Sequence, residues 1–145
     1  RAITETKLIT RPGGNYMSRK AYTAKEGVTV GPYSHAVESG EFVFLSGQTP
    51  VDPTTGKMAE GDIAAQTKQC FKNLFSVLEC ADLTFDDVVK VNVFLTSMSY
   101  FQEMNSVYAE HFSAPYPART TVAVVELPLG ASIEIELTAR REKAR

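Results

Sequence analysis

The sequence predicts an α/β or α+β domain in which two helices pack on one side of a β-sheet. Three observations carry this expectation. Apolar residues recur at helical spacing in two segments, β-branched and apolar runs mark strands in others, and the segments follow the order strand, helix, strand, helix, strand, strand. With 145 residues the chain fits one domain that buries about two thirds of the surface its unfolded form exposes. It contains no internal repeat, low-complexity tract or second-domain linker.

The first 16 residues, RAITETKLITRPGGNY, differ from the rest of the chain, because Pro12, Gly13 and Gly14 break any periodicity before Met17. Met17 is a candidate natural start. A basic transit segment is the alternative, and Glu5 and the lack of an amphipathic stripe weigh against it. Residues 1–21 are therefore expected to be an N-terminal extension or a segment added ahead of the native chain, and residues 22–145 the single domain. Gly31 and Pro32 punctuate an early loop. Glu41 to Ser46 (EFVFLS) has apolar residues on both faces, as a doubly covered central strand does, and Gly47 is expected to end it. Asp52 to Gly56 (DPTTG) has the chemistry of a turn.

From Ile63 to Ala81 the residues Ile63, Cys70, Phe71, Leu74, Val77, Leu78 and Ala81 share one helical face, with Asp62 as N-cap. Val88 to Thr96 (VVKVNVFLT) reads as a strand with Val89, Val91, Val93 and Leu95 on one face. Ser99 and Gln102 form a capping-box pattern ahead of a second helix, whose face Phe101, Met104, Val107, Tyr108 and Phe112 is apolar and also carries Asn105. Pro115 and Pro117 are expected to stop it. Thr120 to Val125 and Ile133 to Leu137 close the domain as strands.

Composition excludes several functions. The 15 Lys plus Arg against 17 Asp plus Glu give a formal charge of -2 with no run of either sign, so there is no electrostatic track for nucleic acid. Cys70 and Cys80 lie ten positions apart on one helix, about 15 Å at 1.5 Å per residue, too far for a disulfide. With His35 and His111 as the two histidines, no zinc or iron spacing is present. No apolar run approaches the roughly 18 residues of a membrane span. A reduced, cytoplasmic protein is expected, with a mitochondrial location as the alternative.

The chemistry-bearing segment is Pro117 to Glu136, PARTTVAVVELPLGASIEIE, which sets Arg119 and Glu134 into strands that otherwise look like core. Alternation puts Ile133, Ile135 and Leu137 on one face and Glu134 and Glu136 on the other. A guanidinium at the mouth of an apolar strand suits a ligand carboxylate, gripped through two parallel hydrogen bonds. An internal ion pair between Arg119 and Glu134 is the competing reading. The Pro128 and Gly130 loop suggests a hairpin. In such a hairpin Glu134 faces Ala123 and leaves Arg119 four residues farther along, about 13 Å away. Either the last two strands are not neighbours, or the glutamate serves a site completed by other segments.

From Gly31 to Arg140 the chain resembles the Rid family of imine and enamine deaminases, also called YjgF-like or L-PSP proteins. The resemblance rests on GPYSHAV (31 to 37), FLSGQTPVDPTTG (44 to 56), GDIAAQT (61 to 67), DDVVKVNVFL (86 to 95) and the 117 to 136 segment. It implies an α+β, chorismate-mutase-like fold: a mixed β-sheet with two helices on one face, the last strand inserted between earlier ones. It also implies a homotrimer with clefts at subunit boundaries, where one site combines residues of two chains.

The resemblance places the family's carboxylate-binding arginine on Arg119, its water-positioning glutamate on Glu134, its tyrosine on Tyr33 and its helix asparagine on Asn105. Catalysis falls to Glu134, Arg119 and Tyr33, and substrate binding to Arg119, Asn105, Thr121 and Gly130, with backbone groups of Pro128 to Gly130 holding the imine nitrogen or the water. Neither metal nor organic cofactor is implied. Thr121 stands where bacterial members often carry cysteine, and His35 where glutamine is usual. Bland roles remain for three of these residues: Tyr33 as an interface aromatic, Asn105 as a turn cap and His35 as a surface histidine.

The implied activity is hydrolysis of 2-aminoacrylate or 2-iminopropionate-type acids to 2-oxo acids and ammonium. Two alternatives stand beside it: an endoribonuclease acting as translation inhibitor, and a non-catalytic trimer that binds small carboxylates.

Overall fold

The structure is a computed structural model and describes residues 3–10, 16–24 and 31–142. The expected break at Pro12, Gly13 and Gly14 lies outside the described residues. In chain order the elements are β1 (Ile3–Thr10), β2 (Tyr16–Thr23), β3 (Ala36–Ser39), β4 (Phe42–Gln48), the short pair β5 (Val51–Asp52) and β6 (Lys57–Met58), α1 (Ile63–Cys80), β7 (Val88–Leu95), α2 (Phe101–Ala109), β8 (Ala118–Ala123) and β9 (Ile133–Arg140). Seven strands form one sheet in the order β1-β2-β3-β4-β9-β7-β8. All neighbours are antiparallel except β7 and β8. The fold is therefore α+β with a mixed sheet.

β9 inserts between β4 and β7, so β8 and β9 are not neighbours and no hairpin joins them. The physical reason lies in composition. Ile133, Ile135, Leu137 and Ala139 are each 3% exposed or less, and a strand so apolar on one face is most stable in the sheet centre with both edges paired. β8 takes the edge, where its more exposed residues are tolerated.

The α1 helix forms as its sequence dictates. Asp62 accepts a hydrogen bond from the Ala65 backbone N–H at 2.9 Å, and Ile63, Cys70, Phe71, Leu74, Val77 and Leu78 are buried. They cover Val43, Leu45, Val91, Val93, Ile135 and Leu137 on one face of the sheet. Each large side chain so buried contributes about 1.5–3 kcal/mol. The second helix docks through aromatic rings. Phe71 meets Phe85, Tyr108 and Phe112 edge-on and stacks on His111 at 4.2 Å between centroids. Asn73 on α1 donates to the carbonyls of Thr49 and Val51 at 3.2 and 2.8 Å, fixing the chain that leaves β4.

Several local expectations are corrected. β4 continues through Gly47 to Gln48, with an irregularity in its pairing to β9 between Leu45 and Gln48. It is also covered on one side only within the chain: Val43 and Leu45 are buried, whereas Phe42 and Phe44 are exposed on the face away from the helices. In β7 Val88 is buried and Val89 is 40% exposed, because a register shift between Val88 and Lys90 displaces the alternation by one residue. Ser99 does not cap α2. The Ser97 hydroxyl accepts from the Ser99 N–H and caps a short 3-10 turn, Met98–Tyr100, that leads into α2. That helix ends at Ala109, before the prolines, so Phe112 is buried from the loop after it. β8 starts and stops two residues earlier than the Thr120 to Val125 run.

Candidate functional site

The sheet divides the candidate residues into two groups. Paired residues of neighbouring strands point to the same face, and Arg119 pairs with Val91, which is fully buried under the helices. Arg119 therefore lies on the helix side, at the β8 edge. Its Nη1 donates to Asn105 Oδ1 at 2.6 Å, and its guanidinium lies 4.4 Å from the Tyr108 ring centroid and 5.5 Å from that of Phe101. Asn105 and two aromatic faces thus hold the planar fork while leaving most of its donors unused. Thr121 lies two residues along the same face. Its hydroxyl oxygen and that of Tyr108 are buried without a hydrogen-bond partner among the described residues. Burial raises the Tyr108 hydroxyl above its ordinary range, although the Arg119 charge opposes this, so it remains a donor.

Glu134 pairs with Phe94 and points to the other face. It lines a cavity of about 720 Å³ together with Tyr33, His35, Gly47, Gln48 and Leu129. Gly47 of β4 lies directly against the Glu134 side chain: a Cβ there would sit 2.6 Å from Glu134 Oε1. Glu134 is half-buried. Burial, and secondarily the charge of Glu136, raise its carboxyl above the ordinary range. Glu136, in the same cavity, accepts from Asn92 Nδ2 at 3.0 Å. Tyr33 is 49% exposed at the cavity mouth, and its N–H donates to the Gly31 carbonyl at 2.9 Å. Gly130 shapes the rim without lining it: Leu129 and Gly130 both take left-handed backbone conformations (φ 62° and 68°), which turns Pro128 and Leu129 into the wall.

Within one chain Arg119 and Glu134 do not meet. Two strand spacings and a three-residue offset, Val91 against Phe94 on β7, separate their backbones by on the order of 14 Å, with the side chains on opposite faces. The internal ion pair is thereby excluded. Among the described residues the side-chain ion pairs are Arg140 with Glu41 at 2.9 Å and Arg141 with Glu38 at 2.8 Å, both at the far end of β9. His35 is corrected as well. It is 3% exposed, not a surface residue, and its Nδ1 accepts from the Ala24 N–H at 3.0 Å. Asn105 accepts a hydrogen bond from Arg119 and, among the described residues, caps no turn.

Sequence reasoning missed Gly47, Glu136 and Tyr108 as members of these groups. Two of the three had a signal: Tyr108 lies about one helical turn beyond Asn105, and Glu136 shares the Glu134 face. The importance of Gly47 depends on which strand crosses it, which is a tertiary fact. Among the described residues no cluster of three His, Cys, Asp or Glu could hold a metal ion, and no helix is long and apolar enough to cross a membrane.

Comparison with known proteins gives concordant results. The family model described as Endoribonuclease L-PSP matches residues 23–141. A RutC family protein of Pyrococcus horikoshii is 44% identical over 126 residues, covering 87% of this chain and 100% of its own length. A 2-iminobutanoate/2-iminopropanoate deaminase of Dermatophagoides farinae is 44% identical over 107 residues, 74% of this chain and 84% of that protein. The crystal structure of RidA from an Antarctic Psychrobacter superposes with a TM-score of 0.77 at 43% identity, over 81% of this chain and 95% of that one.

Proposed function

The chain belongs to the endoribonuclease L-PSP family, and from that premise we propose that it hydrolyses 2-imino and enamine acids of the 2-iminopropionate type to 2-oxo acids and ammonia. One observation carries the reading. Glu134 is a half-buried carboxyl with a raised pKa, set against a cavity and paired with no cation among the described residues. A structural glutamate would have its charge matched. A carboxyl that exchanges protons with a substrate is raised above its ordinary range in this way.

Arg119 and Glu134 face opposite sides of the sheet, so the productive site joins the Arg119 group of one subunit to the Glu134 cavity of another, within a homotrimer. The exposed apolar residues Phe42, Phe44 and Val122 lie on the face opposite the helices and supply an interface for that assembly. Arg119 grips the substrate carboxylate, with the Thr121 and Tyr108 hydroxyls close by. A water oxygen bonds to the imine carbon while Glu134 takes one of its protons and returns it to the nitrogen, forming a carbinolamine. Glu134 then moves the hydroxyl proton to the nitrogen, the C–N bond breaks, and ammonia leaves a 2-oxo acid. Tyr33 orients the substrate at the mouth. Reaction requires neither metal nor organic cofactor.

The family description also points to RNA. Glu134 and Glu136 in one cavity disfavour a phosphodiester, which would bring further negative charge to two carboxylates. A single comparison separates the readings: ammonia release from imino acid generated in situ by an amino-acid oxidase, RNA cleavage, and 2-oxo acid binding, each for wild type and Glu134→Gln. Loss of ammonia release with binding retained supports the deaminase. RNA cleavage that depends on Glu134 supports the nuclease, and unchanged behaviour in all three assays supports a simple binder.

A further inference from the structure

We propose that His35 is a positioning residue of this cleft, holding the segment that carries Tyr33 only while its imidazole is neutral. The inference rests on the reading that Tyr33 and Glu134 work in one catalytic cavity. His35 lines that cavity, is 3% exposed, and precedes β3 directly. Its Nδ1 accepts the Ala24 N–H at 3.0 Å, so the chain closes on itself between Ala24 and His35, with Tyr33 two residues from the clasp. Its carbonyl accepts the Ser46 N–H at 2.9 Å, and the Ser46 hydroxyl donates to the Ser34 carbonyl at 2.6 Å. Ser46 adjoins Gly47, the residue against which Glu134 lies. The backbone and side chain of His35 therefore tie the tyrosine side of the cavity to the glutamate side.

The chemistry of the clasp sets its proton dependence. An imidazole nitrogen that accepts a backbone N–H uses its lone pair, so the neutral ring carries its hydrogen on Nε2. Protonation places a second N–H on Nδ1, where it faces the Ala24 N–H. The bond is then lost and a buried donor is left unsatisfied. Among the described residues the titratable groups that line the same cavity as His35 are Tyr33 on its own segment and Glu134 and Glu136 on β9, and Tyr22 on β2 pairs with the adjoining Ala36. The adjoining β4 residues, Ser46 and Gly47, do not titrate. Lys25 and Glu26 come directly after Ala24 in sequence.

The test combines imidazole nitrogen NMR spectra, the Ala24 amide resonance and kcat/KM between pH 5 and 8 for wild type, His35→Gln and His35→Leu, each as full chain. A glutamine carbonyl accepts a hydrogen bond throughout this range, so His35→Gln is expected to keep kcat/KM within about threefold at high pH and to flatten the acid limb, whereas leucine, lacking an acceptor, loses about tenfold or more at every pH. In wild type the His35 ring is expected as the Nε2–H tautomer, with the Ala24 amide shifting as the ring titrates. An Nδ1–H tautomer, or an acid limb identical in wild type and His35→Gln, overturns the proposal. Should wild type show the spectroscopic coupling without imine hydrolysis, the clasp stands and the deaminase reading fails; hydrolysis without the coupling refutes the clasp alone.

Discussion

Replacing Gly47 by alanine tests the Glu134 mechanism without touching a charged group. Gly47 has no left-handed backbone angle, so alanine is permitted by the main chain. The added Cβ would stand 2.6 Å from Glu134 Oε1, 2.9 Å from Cδ and 3.1 Å from Cγ. Ordinary contact begins at 3.4 Å, so Oε1 must retreat by 3.4 minus 2.6, or 0.8 Å. The atoms in the way belong to the end of one flexible side chain, which can rotate aside. Folding stability should therefore change by less than about 1 kcal/mol, helped by the lower backbone entropy of alanine in the unfolded chain. Activity should respond far more, because a misplacement near 1 Å in a catalytic group costs on the order of 10²-fold. The assay is kcat/KM for imino-acid hydrolysis beside a thermal melt, repeated in a Glu134→Gln background. There the alanine should cost little further, since the group it displaces has already lost its proton chemistry. Near-normal activity in Gly47→Ala, or an equal loss in both backgrounds, would refute the reasoning.

Four further outcomes are expected. Arg119→Lys keeps the charge but not the planar two-point grip, so kcat/KM should fall on the order of 10²-fold with the melting temperature little changed; retention of activity would move carboxylate recognition elsewhere. Glu134→Gln should cost on the order of 10²-fold in kcat. It should also raise thermal stability at pH 7. With the folded-state pKa above the unfolded one, the native chain binds more protons, and the stability Glu134 contributes is complete below the usual glutamate range and is lost as pH rises through the folded pKa. Melts at pH 4 and pH 7 should therefore show a gain over wild type only at the higher value, and a destabilised variant at pH 7 would restore the ion-pair reading. Phe44→Asp puts a charge on the exposed apolar sheet face and should convert a trimer to monomers in light scattering; a wild-type monomer at micromolar concentration would remove the basis for a shared site. Asp62→Ala deletes the α1 cap and should cost about 1 kcal/mol, near 3 °C in melting temperature, with turnover unaffected.

Local chemistry makes much of the fold legible. The α1 helix and its cap are dictated by the spacing of Ile63 to Leu78 and by the aspartate at 62, both short-range features. The strand character of Val88 to Leu95 and of Ile133 to Arg140 comes from alternation, as does the opposition of Glu134 to the core-facing isoleucines. The length of the Pro128 loop shows that a simple hairpin cannot join Arg119 to Glu134. It does not say where β9 goes instead, because pairing partners are chosen by contacts far apart in sequence. Local errors come from the same limit: the register shift that buries Val88 and exposes Val89 is imposed by β9, and Ser97 displaces Ser99 as cap through a 3-10 turn that no periodicity announces.

The residue types of the candidate site are readable from the sequence, since an arginine and two glutamates set into otherwise apolar strands need partners. Their arrangement is decided by tertiary structure. Inserting β9 between β4 and β7 sets Glu134 over Gly47 on one side of the sheet, and edge placement of β8 sets Arg119 between Asn105 and Tyr108 on the other. A side chain's face is fixed by its own strand, but what lies opposite it depends on which strand is adjacent, and that depends on the whole buried surface at once.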